Sequence, residues 1–550
     1  MITISLFLFF YFVIFFSGRG ISILLKIQDK KYFFLPLSMY YPIIGLFYIG
    51  NISIVLNFFI DIAELISLIV LTIPLLFNFL NFKNLSSLNL KIENLVSYLI
   101  TPIIIGVSVA NINIAYDAGL YHLNHQYWIK NFKIVLGLAN NHMRYGYSSI
   151  IEHINVNFWL VDKNDTYNFI LLHFTNIIFI VFFCQLILKL LTSKYYKFSI
   201  SLLIYGFLDN FGFNGGKNGF IEVESITKQD TPFAVIFLSS TFMLYCFLSK
   251  DKISISKSEI RLLFIFTLFA TQLRILGAIA LVSFVLICIY KFSMKETIKI
   301  IFKNEFILSF LGILFLIKNL LTSGCFLYPI KQLCVKTLPW SSVSGYSSAS
   351  AESAGLSNFH IALTTKNYQS WFNDWTSKEV NLIVFKNFII TFSVILILLI
   401  LNQFIFKEQK NRYLVTQLIY CLISISIWLI TAPGIRMGVG LFLSSVFVVS
   451  NIFNSEKVPS VIIKYHKLLM VFYLLVVALI PQTNNYIAFA DSYKDISLVK
   501  IRSQKIQYIE NENGFGVLPE NGDQCWVNLE CVRNKNVTKD SYFSYIIFKD

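Results

Sequence analysis

Tyr167-Asn-Phe-Ile-Leu-Leu-His-Phe-Thr-Asn-Ile-Ile-Phe-Ile-Val-Phe-Phe-Cys-Gln-Leu-Ile-Leu-Lys-Leu-Leu191 is apolar on every side, with one charge, Lys189, near its end. A helix of this length extends about 37 Å at about 1.5 Å per residue. The hydrocarbon core of a bilayer is about 30 Å thick. A helix apolar all round has no face for water, so it must be enclosed in protein or solvated by lipid. The composition extends that reading to the rest of the chain. Of 550 residues, 56% are apolar and 14% charged, with a mean hydropathy of +0.67, whereas a soluble domain carries about 25% charge. So much apolar surface exceeds what one soluble core can hide. The predicted fold class is an all-α polytopic membrane protein.

Working outward from 167–191, further spans are predicted at 2–18, 33–56, 63–82, 94–112, 198–210, 231–249, 261–273, 275–291, 304–321, 382–404, 413–431, 437–453 and 468–481, about 12–14 transmembrane helices in all. The stretch 261–291 also reads as one long helix. The formal charge of +15 falls in short Lys/Arg clusters between apolar runs: Arg19 to Lys31, Lys83 with Lys91, Lys189 to Lys197, Lys250 to Arg261, Lys291 to Lys303, Lys407 to Arg412, and Lys457 to Lys467. These clusters alternate with loops poor in Lys and Arg, so assigning them all to the cytoplasm gives one threading with both termini outside. No nucleic-acid motif and no basic-aromatic platform accompanies the charge, which excludes a nucleic-acid partner. The first span lacks a basic leader and an Ala-x-Ala site and is read as a retained helix rather than a signal peptide.

This threading divides the chain into a transmembrane domain, 1–481, with outer loops 113–166, 209–230 and 322–381, and a polar periplasmic C-terminal segment, 482–550. Cys184, Cys246, Cys288 and Cys421 fall inside spans. Cys325 with Cys334, and Cys525 with Cys531, fall outside as two close pairs, readable as disulfides in an oxidising compartment or, less well, as zinc ligands without a nearby His.

The first outer loop is richest in chemistry-bearing residues: Asp117, Tyr121, His122, His125, Asn140, His142 and Arg144. Asp117 sits a few residues beyond a predicted span, where a carboxylate can act as a general base or hold a divalent cation such as Mg2+ or Mn2+ beside a lipid-borne substrate. A helix cap or a loop salt bridge would place the same residue there. Asp117 has no acidic neighbour in paired spacing; His122 or Glu152 would have to complete a metal site. Segment 123–136, with Leu123, Tyr127, Trp128, Phe132 and Val135 on one side, reads as an amphipathic helix lying flat in the interface. Arg274 and Arg436 fall at outer span ends, and charges at the membrane edge are functional candidates. Arginines converging there suit a phosphate or pyrophosphate. Lys318 reads instead as snorkelling to the headgroups. The glycine-rich loop from Asp209 through Asp230 lacks the Lys-Ser/Thr of a Walker loop.

The run Tyr116-Asp117-Ala-Gly-Leu-Tyr121-His122, then Gly137-Leu-Ala-Asn140-Asn-His142-Met-Arg144, resembles the first outer loop of a family of uncharacterised polytopic bacterial envelope proteins. Further matches follow in order: Ser225 to Asp230, Asn319 to Pro329, Ala432-Pro433-Gly434-Ile-Arg436, and Cys525-Trp526 with Cys531. Ala139, Gly434 and Met437 depart from the family pattern. That family is similar in layout to the C-type (GT-C fold) membrane glycosyltransferases, which carry a functional acidic residue in the first outer loop and take sugars from polyprenyl-phosphate donors. The resemblance implies that Asp117 is the base or the metal-binding carboxylate and that Arg144, Arg274 and Arg436 contact the donor phosphate; His122 joins Asp117 as a catalytic candidate, and Asn140, His142 and Asp230 join the arginines as substrate-binding candidates.

The expected function is inverting glycosyl transfer from a polyprenyl-phosphate or polyprenyl-diphosphate glycan at the outer face of a bacterial inner membrane, building capsule or lipopolysaccharide. An O-antigen or capsule polymerase shares these features. A lipid-linked glycan transporter or flippase, or a non-catalytic scaffold, are rivals of other classes. The sequence carries no convincing internal repeat of the kind transporters show.

Overall fold

In a computed structural model the described residues are 2–27, 31–81, 92–107, 116–161, 167–211, 226–341, 365–406, 409–431, 433–454 and 460–473, with 501, 504, 506–511, 515–526, 530–534, 537–542 and 544–549 of the C-terminal stretch. Among them, eight helices are long and apolar enough to cross a membrane, and the chain is a multi-pass membrane protein. They are Ile2–Leu24, Leu37–Asn57, Ile170–Leu191, Asp230–Ser249, Ile275–Phe292, Phe306–Ser323, Asn381–Leu401 and Leu414–Thr431. Glu64–Leu80, Val96–Gly106 and Ile435–Ser450 are apolar but shorter.

Burial sorts these helices. Ile170–Leu191 and Asp230–Ser249 are enclosed along their whole apolar length, as their all-round apolarity requires, while Leu414–Thr431 and Ile275–Phe292 bury only the smaller part of theirs. The exposed positions on the outer helices are Leu, Ile, Val and Phe, such as Leu286, Phe310, Ile400 and Leu422, the surface that lipid tails solvate.

Packing among the first three helices rests on small residues. A side chain at Gly18 would overlap the carbonyl oxygen of Tyr41, and one at Gly20 that of Pro74. Without side chains there, the first helix lies directly against Leu37–Asn57 and Glu64–Leu80, the close approach that small residues permit between membrane helices. Arg19, expected in a basic loop, instead lies inside the first helix, buried, and donates to Asn78 Oδ1 at 2.5 Å. Asn51 and Gln272 exchange two amide hydrogen bonds of 3.1 and 2.7 Å across the core.

The 261–291 stretch resolves into two helices, Lys257–Leu273 and Ala278–Phe292, separated by a short turn that begins at Arg274. The last predicted span, 468–481, is described only as the end of helix Ser460–Tyr473; the rest lies outside the described residues. So do most of the glycine-rich loop and residues 342–364 of the third outer loop.

Helix alternation gathers the connections at two ends. At one end, Arg261 holds Glu305 through bonds of 2.6 and 2.9 Å, Lys250 pairs with Glu259, and Lys291 donates to the Lys250 carbonyl at 2.7 Å. The other end carries 116–161, 167–169, the Arg274 turn, 324–341 and the C-terminal strands. There the N-terminal helix meets the first long loop through Phe10 and Phe158, and Gly137 donates to the Leu321 carbonyl at 2.8 Å.

Gly18→Val should destabilise the detergent-solubilised protein by at least about 1–3 kcal/mol, the usual cost of overpacking. Gly434→Val, where an added Cβ meets nothing within 4 Å, should leave the thermal unfolding midpoint nearly unchanged. Equal midpoints for the two variants would refute the packing account.

Candidate functional site

Segment 118–131 sets the first group of side chains. A wide turn, Ala118–His122, runs directly into helix Leu123–Asn131, which stops at an extended Phe132. The expected interfacial helix over 123–136 is therefore shorter, and it does not lie in the interface. Asn124, His125, Gln126 and Lys130 are buried along with Leu123 and Trp128, so the element has protein on both faces. Glu152 and Trp159 hold Gln126, and Glu64 pairs with Lys130; on the apolar side Phe548 of the C-terminal segment packs edge-on against Trp128 at 5.4 Å between ring centroids.

Asp117 precedes this turn and accepts from Arg144 Nη1 at 3.1 Å. Both side chains are about a quarter exposed, 26% and 24%, so the pair meets solvent at one edge. The Arg144 guanidinium also lies over the Tyr121 ring at 5.1 Å. Five residues after Asp117, His122 turns inward: its Nδ1 donates to Glu152 Oε1, and both side chains are nearly sealed. Glu152 Oε2 accepts from Gln126 Nε2 at 2.7 Å, and Gln126 Oε1 accepts from Trp159 Nε1 at 2.8 Å. With its carboxylate held on both oxygens, Glu152 fixes the plane and tautomer of the His122 ring.

The second group sits at helix ends. Asp230 opens helix Asp230–Ser249, where the first-turn N–H groups favour a negative charge. Arg274 reaches it from the turn between Lys257–Leu273 and Ala278–Phe292 and makes an ion pair through Nη2. Arg436, in the first turn of Ile435–Ser450, brings Nε to 4.0 Å from the other Asp230 oxygen and is 36% exposed. Arg274 and Arg436 thus converge on Asp230 rather than on Asp117. The two groups are neighbours. Burial pushes the Tyr121 hydroxyl well above its ordinary range, with Asp117, Glu152 and Asp230 adding to the effect and Arg144 opposing it. Asp230 in turn lies within electrostatic reach of His122.

Asn140 and Lys318 both hold backbone carbonyls. Asn140 donates to the Phe548 carbonyl at 2.9 Å and the Trp340 carbonyl at 3.2 Å, bonds that seat the C-terminal strand and the third outer loop on the first. Lys318 does not snorkel. Its side chain is buried, 1% exposed, donates to the Ser148 carbonyl and lies 4.5 Å from the Phe315 ring. It props up the 148–153 segment from beneath, beside His125 and His153.

The C-terminal segment touches the motif residues directly. Cys525 N–H donates to the Gly119 carbonyl at 2.8 Å, and Gln524 Nε2 to the Tyr116 carbonyl at 3.0 Å. A side chain at Gly119 would run into Gln524 and the indole of Trp526. Gly137 adopts φ +66°, and a Cβ there would strike the Phe548 carbonyl. Both cysteine pairs are disulfides, Cys325–Cys334 and Cys525–Cys531. Sequence reasoning missed Arg533, which faces His142 at 3.2 Å; its one signal was its place two residues after a stapled loop.

Among the described residues no group of three or more His, Cys, Asp or Glu is placed to hold a metal ion. The donor set explains why a divalent cation fits poorly. Asp117 is paired with a guanidinium, both oxygens of Glu152 are taken by His122 and Gln126, and Asp230 is shared by two arginines.

A family model described as a domain of unknown function (DUF8201) matches residues 1–443, and the chain belongs to that family. No curated protein and no solved structure matches it.

Burial holds His125 neutral down to about 3, with Lys318 and His122 adding to the effect. In the unfolded chain the same ring takes a proton near its ordinary value of 6.5. The unfolded state therefore binds more protons below that value, and stability present above it is lost as pH falls. The loss approaches about 1.4 kcal/mol per pH unit, or about 2 kcal/mol at pH 5. The unfolding midpoint in detergent should drop between pH 7 and pH 5, and His125→Gln should shallow that drop; an unchanged slope would contradict the burial argument.

Proposed function

We propose that this DUF8201 member is a membrane glycosyltransferase that moves a sugar from a polyprenyl-phosphate or polyprenyl-diphosphate donor to a hydroxyl of a growing cell-envelope polysaccharide, capsule or lipopolysaccharide, at the extracytoplasmic face of a bacterial inner membrane. One observation carries the reading: a partly exposed carboxylate, Asp117, stands beside a cluster of arginines at the end of the helix bundle opposite the Lys/Arg-rich loops. Basic loops are retained in the cytoplasm, which supports an extracytoplasmic position for the cluster. The layout similarity to C-type membrane glycosyltransferases, with an acidic residue in the first outer loop, supports the same conclusion.

Asp117 Oδ accepts the proton of the acceptor hydroxyl as that oxygen attacks the anomeric carbon. The bond from that carbon to the donor phosphate oxygen breaks, and the phosphate leaves with the electron pair. Attack from the opposite side inverts the anomeric centre. Arg436, the more exposed of the two guanidiniums on Asp230, and Arg144 stabilise the charge developing on the phosphate. Asp230 and Arg274 hold that face in place; an unpaired charge at this depth would cost about 3–5 kcal/mol. Glu152 orients His122 behind Asp117. No step runs through a metal.

Asp117→Asn, expressed at normal level, should lower transfer about 100- to 10,000-fold, the range for loss of a general base, and cells should accumulate glycan lacking one sugar. Full-length glycan of wild-type composition would end the catalytic assignment. Single unpolymerised repeats would shift the reading to a polymerase.

A further inference from the structure

Where the Cys525–Cys531 loop meets the first outer loop, three hydrogen-bond donors are shielded from water and have no partner among the described residues: Arg533 Nη2, Trp526 Nε1 and His142 Nδ1. The rest of Arg533 is well placed. Its backbone N–H donates to Asn141 Oδ1 at 2.8 Å, its Nε to Cys525 Sγ at 3.4 Å, and its Nη1 approaches His142 Nε2 at 3.2 Å. A guanidinium only donates, so His142 Nε2 accepts. Burial, reinforced by Arg533 and Arg144, holds this ring neutral down to about 3, which leaves its single proton on Nδ1. All three orphaned atoms are therefore N–H groups.

Their surroundings are positive. Arg144 acts on both Arg533 and His142 electrostatically and lies over Tyr121, whose ring stacks on His142 at 6.5 Å between centroids. The carboxylates in reach are Asp117, engaged by Arg144, and Asp523, near Arg533. A buried N–H left unpaired is destabilising, and more so on a charged group. Three such donors beside two guanidiniums match an oxyanion, whose lone pairs accept several N–H bonds at once.

We infer that Arg533, Trp526, His142 and Arg144 form a subsite for an oxyanion of the substrate, a phosphate or a sugar carboxylate, on the C-terminal side of Asp117. Arg144 forms its solvent edge, and the buried Trp526 lies on its inner side. The inference deepens the transferase reading by making the substrate anionic at this point, yet binding is measurable without turnover, so the two fail separately.

The test uses the full-length protein in detergent at constant ionic strength, titrated with inorganic phosphate and separately with glucuronate, and reads the shift in unfolding midpoint. At least one anion should raise the midpoint saturably. Arg533→Gln should weaken that binding at least about tenfold, a factor equal to about 1.4 kcal/mol. Trp526→Phe keeps an aromatic ring and removes the N–H; it should weaken the anion-dependent rise, read against the variant's own anion-free midpoint, which a merely structural tryptophan would not do. Response to phosphate alone identifies the donor phosphate as the ligand; response to glucuronate alone identifies an acidic sugar. No response to either, or the same response in both variants, overturns the subsite.

Discussion

A charge taken out of water inside a helix bundle needs a partner, and an opposite charge is the strongest one; the Asp230–Arg274 pair answers that constraint at the point on which the site depends. Asp230 can sit where it does because it begins a helix, and Arg274 can reach it because the chain breaks between Leu273 and Ala278. That break ties the start of helix Asp230–Ser249 to the turn between its two neighbours in sequence. Arg436, at a third helix start, approaches the same carboxylate. Three helix ends are thereby registered against one another, and the first outer loop packs beside them with Asp117, His122 and Glu152 already oriented.

The same logic of matched partners continues into the C-terminal segment. It is fastened through backbone groups: Leu136 and Phe548 exchange N–H and carbonyl bonds with the opposing chain, and Asn140, Asn141 and Asn534 bridge the rest. The family match ends at residue 443, yet Gln524, Cys525, Trp526 and Phe548 lie against the loop that carries Asp117. The wall nearest the acidic residue is thus built by chain beyond the matched region.

The helical, membrane-crossing architecture was legible because apolar length is a local property, readable in stretches such as 170–191 and 230–249. The gathering of Asp117, Asp230, Arg274 and Arg436 at one end was legible because charge alternation along the chain fixes which span ends face the same way. Other features depend on contacts far apart in sequence. Arg19 reads as a loop charge until Asn78 meets it inside the membrane; Lys318 reads as a snorkelling side chain until the Ser148 carbonyl caps it. The 123–136 stretch has the pattern of an interfacial helix, and contacts from elsewhere in the chain bury both of its sides: Glu152 and Trp159 take Gln126, Glu64 takes Lys130, and Phe548, more than 400 residues on, covers Trp128. Gly119 carries no periodic signal at all; its meaning is the Trp526 indole that needs the space.

Sidedness is the claim most directly open to measurement. Tyr147 lies partly exposed beside the site, and Ile253 is almost fully exposed at the opposite end, among the basic loops. Tyr147→Cys and Ile253→Cys, each treated in intact spheroplasts with a membrane-impermeant maleimide, report the two faces. Labelling of the Tyr147→Cys protein without permeabilisation, and of the Ile253→Cys protein only after it, is the result this account predicts. The reverse pattern would put the site in the cytosol and contradict it.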